Sequence, residues 1–163
     1  MNLCTQCPNL LELYIAQNEF SGKLTSQFNN CTELSVLSLS YNKFDGSIPK
    51  GFGSLEKLDL LYLRGNNLTG NIPPIISNLS MLQEFGIERN NVKGGIPSDL
   101  WRLQNLKILL FQLNDLTGTI PQNIFKISYL QHLVLGEITL YYPKLPRVVS
   151  SLSWTDCATF NPE

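Results

Sequence analysis

Leu58 to Pro73 reads L-D-L-L-Y-L-R-G-N-N-L-T-G-N-I-P, and the pattern recurs column by column every 24 positions. Leu10, Leu34, Leu58, Leu82, Leu106 and Leu130 open six copies. Three residues after each comes Leu13, Leu37, Leu61, Phe85, Leu109 or Leu133, and two beyond that Ile15, Leu39, Leu63, Ile87, Phe111 or Leu135. An Asn column follows at Asn18, Asn42, Asn66, Asn90 and Asn114, then an apolar column from Phe20 to Leu116, then Gly22, Gly46, Gly70, Gly94 and Gly118. A constant period of this length marks a solenoid, in which each unit buries its apolar face only against its neighbours.

The apolar residues at the start of each copy alternate with outward ones, as in Glu12-Leu13-Tyr14-Ile15-Ala16. That is the period of a half-buried strand. Stacked copies predict an α/β solenoid of about six repeats: a right-handed arc, since parallel crossovers favour that hand, with one parallel sheet on its concave side. The Asn column suits a ladder, because an amide has two donors and an acceptor with which to bond the backbone of its own and adjacent turns. The Gly column is expected where a side chain would obstruct a turn or a close approach. Ile48-Pro49, Ile72-Pro73, Ile96-Pro97 and Ile120-Pro121 put an anchor inward and fix φ as the chain crosses to the far side.

The array is expected to occupy residues 1–140, starting within a repeat, because Cys4 and Cys7 fit the closing columns of an earlier copy. The sixth copy decays, with Ile138 where Asn belongs and Tyr142 where Gly belongs. Residues 141–163 are expected to be an irregular tail or degenerate cap, poorly ordered and open to proteolysis near Tyr142.

A near-balanced net charge of −1 argues against a nucleic-acid or membrane-surface role, which would show as a basic excess. No apolar run is long enough to span a bilayer, and the first residues lack the basic start and apolar core of a signal peptide. Cys4-x-x-Cys7 has the spacing of half a metal site. The register instead puts Cys4 among Phe28, Phe52 and Ile76, and puts Cys7 and Cys31 among Leu55, Leu79 and Leu103, so these cysteines are expected as buried structural residues. A Cys4 to Cys7 disulfide stays open at this stage. His132 is the only histidine and sits in an outward strand column, so no catalytic set is expected, nor a metal or cofactor.

With the columns in place, L-D-L-L-Y-L-R-G-N-N-L-T-G-N-I-P and L-K-I-L-L-F-Q-L-N-D-L-T-G-T-I-P resemble the plant-specific leucine-rich repeat. The phrases I-I-S-N-L-S-M-L-Q-E-F and I-P-Q-N-I-F-K-I-S-Y-L-Q-H-L are similar to the extracellular domains of leucine-rich repeat receptor-like kinases, particularly many-repeat receptors of immunity. The resemblance covers about residues 4–140. Family proteins carry cysteine-paired caps, a membrane span and usually a cytoplasmic serine/threonine kinase, so this chain is expected to be a fragment. It implies an extracellular, often glycosylated scaffold at the plasma membrane or in the apoplast, whose concave face meets a protein or peptide ligand or a co-receptor in signalling or defence. Two other expectations stand beside this one: a secreted inhibitor of a pathogen cell-wall-degrading enzyme, and a truncated remnant that binds nothing.

Three sequons, Asn30-Cys31-Thr32, Asn67-Leu68-Thr69 and Asn78-Leu79-Ser80, are expected to face solvent as N-glycosylation acceptors. For the partner, the outward strand columns are the candidates. The fold does not require aromatic or charged residues there, and Tyr and Arg are favoured at binding hot spots. The expected ligand surface is therefore Tyr14, Tyr62, Arg64, Glu84 and Glu88, with an Arg64 to Glu88 ion pair as the purely structural alternative.

Overall fold

In the computed structural model, which describes residues 3–24, 28, 30–136 and 139–141, the outward and inward alternation folds into two strands per repeat. The first set is β1 (Glu12–Tyr14), β3 (Val36–Ser38), β5 (Leu60–Tyr62), β7 (Glu84–Gly86), β9 (Ile108–Leu110) and β11 (His132–Val134). They form one parallel six-stranded sheet in the order β1-β3-β5-β7-β9-β11, the arc of a solenoid. Leu13 pairs with Leu37, Leu37 with Leu61, Leu61 with Phe85, Phe85 with Leu109, and Leu109 with Leu133. Partners are thus one 24-residue period apart, and Leu37, Leu61, Phe85 and Leu109 form a fully buried file. A slip of one residue would turn every one of these side chains to solvent, so burial locks the register.

The apolar and Gly columns hold a second set that the sequence reading assigned to a turn. β2 (Ser21–Lys23), β4 (Lys43–Ser47) and β6 (Asn67–Thr69) form one parallel sheet, and β8 (Lys93–Gly94), β10 (Asp115–Thr119) and β12 (Thr139–Tyr141) another. Here Gly22 pairs with Phe44 and Gly46 with Leu68, so partners lie two residues short of the period. Asn67-Leu68-Thr69 explains the strand: Leu68 is buried between two exposed polar residues, the alternation of a half-buried strand. The glycines of this column all take a left-handed φ, between 73° and 94°. At Gly22 and Gly118 conformation alone selects Gly, since a Cβ there would meet nothing within 4 Å, whereas at Gly94 it would also stand 2.8 Å from Asn71 Oδ1.

Pro49, Pro73, Pro97 and Pro121 then open five-residue 3-10 turns at Lys50–Ser54, Pro74–Asn78, Ser98–Arg102 and Gln122–Lys126. Their φ values of −65°, −67°, −59° and −61° are those a proline ring imposes. Each turn buries one core residue, Phe52, Ile76, Leu100 or Ile124.

The Asn column is a ladder that reaches backwards. Asn66 Nδ2 donates to Leu63 O at 3.1 Å in its own repeat and to Leu39 O at 3.1 Å in the one before, while its Oδ1 accepts the Phe44 amide at 3.0 Å. Asn42, Asn90 and Asn114 repeat the arrangement, and all four are buried. Asn18 is exposed, and its side chain bonds Ile15 O and Ala16 O of its own repeat.

The first repeat departs from its columns because β1 is an edge strand. Leu10, Leu13 and Ile15 are only partly buried, and Phe20 is 48% exposed. The cysteines also depart. Cys7 is exposed and free, whereas Cys4 on the helical turn Leu3–Gln6 is bonded to Cys31 across a Cα separation of 5.1 Å. Column matching aligns Cys7 with Cys31, but the helical turn swings Cys4 onto the core beside Cys31. That removes both the buried Cys7 and the Cys4 to Cys7 bridge. The tail expected over 141–163 lies, except for Tyr141 in β12, outside the described residues, as do Ile138 and Tyr142.

Candidate ligand surface on the large sheet

Along the open face of the large sheet, the outward columns bring four of the five expected residues together over β5 and β7. The Tyr62 hydroxyl donates to Glu84 Oε2, reaching diagonally from one strand to the next, since Tyr62 pairs with Gly86 and Leu60 with Glu84. Burial, the hydrogen bond to Glu84 and the charges of Glu84, Glu88 and Asp59 push the phenol well above its usual range. Tyr62 is therefore a hydrogen-bond donor at every physiological pH.

Arg64 Nε lies 3.3 Å from Glu88 Oε1. The pair is an ion pair by distance without a well-directed hydrogen bond, and among the described residues Glu88 Oε2 has no hydrogen-bond partner. Glu88 is only 3% exposed, far from the solvated position expected of an outward strand residue. Burial pushes its carboxyl above the usual value, opposed by its own backbone amide and by Arg64 and Arg89.

Two glycines make this packing fit. A Cβ on Gly86 would stand 2.9 Å from Glu88 Oε2 and 3.3 Å from Tyr62 Cδ1, so the absent side chain is the space those groups occupy. A Cβ on Gly65 would stand 2.7 Å from Tyr41 Cδ1. The Tyr41 ring leans over Gly65 and receives the Arg64 guanidinium on its face, 5.0 Å from centroid to Cζ. Tyr41, Gly65 and Gly86 thus belong to the cluster, and the sequence reading did not place them there. Tyr14 does not belong to it. It lies on β1, separated from β5 by β3, and is 61% exposed.

The remaining outward positions shape the flanks. Toward β1 they are small or apolar and buried, as Val36, Ser38 and Ser40; toward β11 they are the half-buried Ile108, Leu110 and Val134. Asn30, Asn67 and Asn78 are exposed, away from this face. Among the described residues no group of His, Cys, Asp and Glu could hold a metal ion, and no helix is long and apolar enough to cross a membrane.

Comparison with known proteins returns the same architecture. A family model described as leucine rich repeat matches residues 8–68. The plant peptide hormone receptor RGFR1, solved in complex with RGF2, is 36% identical over 80% of this chain and 21% of its own, with a TM-score of 0.79. The Arabidopsis receptor kinase HAESA, solved with the peptide hormone IDA and the co-receptor SERK1, is 32% identical over 85% of this chain and 23% of its own, with a TM-score of 0.81. This chain therefore spans under a quarter of either receptor. A chain of the BIR3–SERK2 complex from Arabidopsis thaliana is 31% identical over 81% of this chain and 73% of its own, with a TM-score of 0.70. No curated protein sequence matches. A 24-residue period, a parallel sheet with one strand per repeat, an Asn ladder and these likenesses together make the chain a member of the leucine-rich repeat family, similar to the ectodomains of plant leucine-rich repeat receptors.

Proposed function

We propose that this chain is the partner-recognition segment of a plant cell-surface receptor, and that it takes an extended peptide or a protein loop across the middle of its large sheet. The observation that carries the reading is the joined cluster of Tyr62, Glu84, Arg64, Glu88 and Tyr41. A solenoid needs only the inward residues of each strand, yet here the outward ones are mutually held by a hydrogen bond, an ion pair and a ring contact. Side chains fixed before a partner arrives lose less conformational entropy on binding it. The receptors RGFR1 and HAESA were solved with peptide hormones, and HAESA also with a co-receptor, which supports a peptide ligand and a second receptor chain as partners. The exposed sequon residues Asn30, Asn67 and Asn78 fit a glycosylated, extracellular location and leave the proposed face clear of glycan.

The test is a random-peptide display selection on the full-length protein, followed by affinity measurement on the Tyr62→Ala/Arg64→Ala double variant. Selected peptides should lose at least about tenfold in affinity, equivalent to about 1.4 kcal/mol. Unchanged affinity across all selected peptides would move the partner to another face.

A further inference from the structure

The outward positions of the six strands carry three carboxylates, Glu12, Glu84 and Glu88, against one guanidinium, Arg64. That guanidinium is already committed to Glu88 and to the Tyr41 ring. Among the described residues Glu84 has no cation paired with it and is held by the Tyr62 hydroxyl. At the foot of β5, Asp59 Oδ1 is buried with no hydrogen-bond partner among the described residues, and its charge reaches Tyr62 together with those of Glu84 and Glu88. Above, Glu88 is almost wholly buried, and its Oε2, turned over Gly86 toward the Tyr62 ring, is likewise unpartnered. In the next strand of the same row Gln112 Oε1 is a third buried acceptor with nothing to accept. Sealed from solvent, these oxygens add negative potential beneath the face without themselves meeting a ligand.

Resting on the reading of this face as the partner surface, we infer that its ligand presents a cationic group, a Lys ammonium or Arg guanidinium, to Glu84 beside the Tyr62 ring. The same ligand lays an apolar side chain on the half-buried Ile108 and Leu110. The charge imbalance selects the sign. The Tyr62 ring adds a face that attracts a cation. Arg64 does not reverse the sign, because an anion reaching it would meet Glu88 on one side and the ring of Tyr41 on the other.

The experiment uses labelled peptides of one extended sequence with a central Leu and a neighbouring Arg, in which the Arg alone is replaced by citrulline or by Glu. Binding is read by fluorescence anisotropy on the full-length protein. The Arg peptide is expected to bind at least about tenfold tighter than the citrulline peptide and tighter still than the Glu peptide. The difference should shrink as salt is raised through the range that shortens the Debye length below about 8 Å. Glu84→Gln should bring the Arg peptide to the affinity of the citrulline peptide. Equal binding of the three, preference for the Glu peptide, or no binding of any member overturns the inference. Its failure is separable from that of the surface itself. Display-selected peptides that lose affinity on Tyr62→Ala/Arg64→Ala but carry no excess of Lys and Arg would retain the surface and reject its cationic ligand, whereas selected peptides indifferent to that double variant would reject both.

Discussion

The guanidinium carbon of Arg64 stands 5.0 Å from the centre of the Tyr41 ring, although the two residues belong to successive repeats. The contact exists because Gly65, the residue after Arg64, leaves the space over which the ring leans. Position 65 belongs to a column whose other described members, Gln17, Tyr41, Arg89 and Leu113, all carry side chains at φ between 54° and 59°. The left-handed backbone is therefore tolerated by this turn, and the vacancy at Gly65 has a different cause, the ring of Tyr41.

Gly65→Ala accordingly should destabilise by about 1 to 2 kcal/mol, the scale of overpacking with some left-handed strain. In a Tyr41→Ala background the same change should cost less, giving a coupling energy above about 0.5 kcal/mol in a double-mutant cycle. Urea unfolding of the four proteins measures it. Strict additivity would mean that the backbone, not the ring, demands glycine.

The ladder makes a second, directional prediction. Asn90→Ala strands the Leu68 amide, bonded to Asn90 Oδ1 at 3.0 Å, and takes from the Leu63 carbonyl one of its two amide donors, leaving it Asn66. Leaving that buried amide unpaired costs about 1 to 3 kcal/mol before relaxation. Asn18→Ala removes only two bonds from an exposed side chain to its own repeat, so its loss should stay below about 1 kcal/mol. Equal urea midpoints for the two variants would remove the ladder's claim to hold repeats together.

These cases show why the fold could be read from the sequence while the site could be read only in part. Periodicity places Leu37, Leu61, Phe85 and Leu109 in one file because identical burial demands identical residue types at identical spacing. The Asn column is legible for the same reason. The second strand set is hidden by its brevity, since two to five residues with a glycine in or just after most of them look like a turn. Tyr62, Arg64, Glu84 and Glu88 stand out as side chains the fold does not need, but Gly65 and Gly86 act by what they lack. Their signal was an interruption: Gly65 breaks a column otherwise filled by large residues, and reading that break would have led to Tyr41. The burial of Glu88 had no sequence signal, because it follows from how its carboxyl lies beside Tyr62 over Gly86 and against Arg64.

Cysteine pairing shows a different limit, and it carries a third prediction. Columns match Cys7 with Cys31, yet Cys4 is the partner, 27 residues away. Closing a loop of that size is worth about 3 to 4 kcal/mol in the chain-entropy account. Reduction, or Cys31→Ala, should lower stability on that scale and act most strongly on β1, which has only β3 as a neighbour. Peptide mapping after alkylation of the folded, unreduced protein should find Cys7 modified and Cys4 and Cys31 protected.

Glu88 carries the last prediction, because its carboxyl is both nearly buried and opposed by cations. Burial is the larger influence and raises its proton affinity in the folded state; its own backbone amide, Arg64 and Arg89 pull the other way without cancelling it. A carboxyl whose folded value lies above its unfolded one binds its proton more tightly when folded. The stability this provides is complete below the unfolded value, near 4.5, and is lost as pH rises through the folded value. Glu88→Gln removes the titration while keeping the shape. The variant should therefore gain on wild type as pH rises from about 4 toward neutrality, and the gain should level off once wild-type Glu88 is fully ionised. Arg64 decides whether the variant also gains in absolute terms. Losing the ion pair leaves a guanidinium that is 38% exposed and still stacked on Tyr41, so it can turn to solvent at little cost, unlike a wholly buried partner. Thermal midpoints of both proteins across that pH range give the test. Parallel curves would show that Glu88 titrates at an ordinary value, and a variant that instead falls behind with rising pH would show that Arg64, not burial, governs the carboxylate.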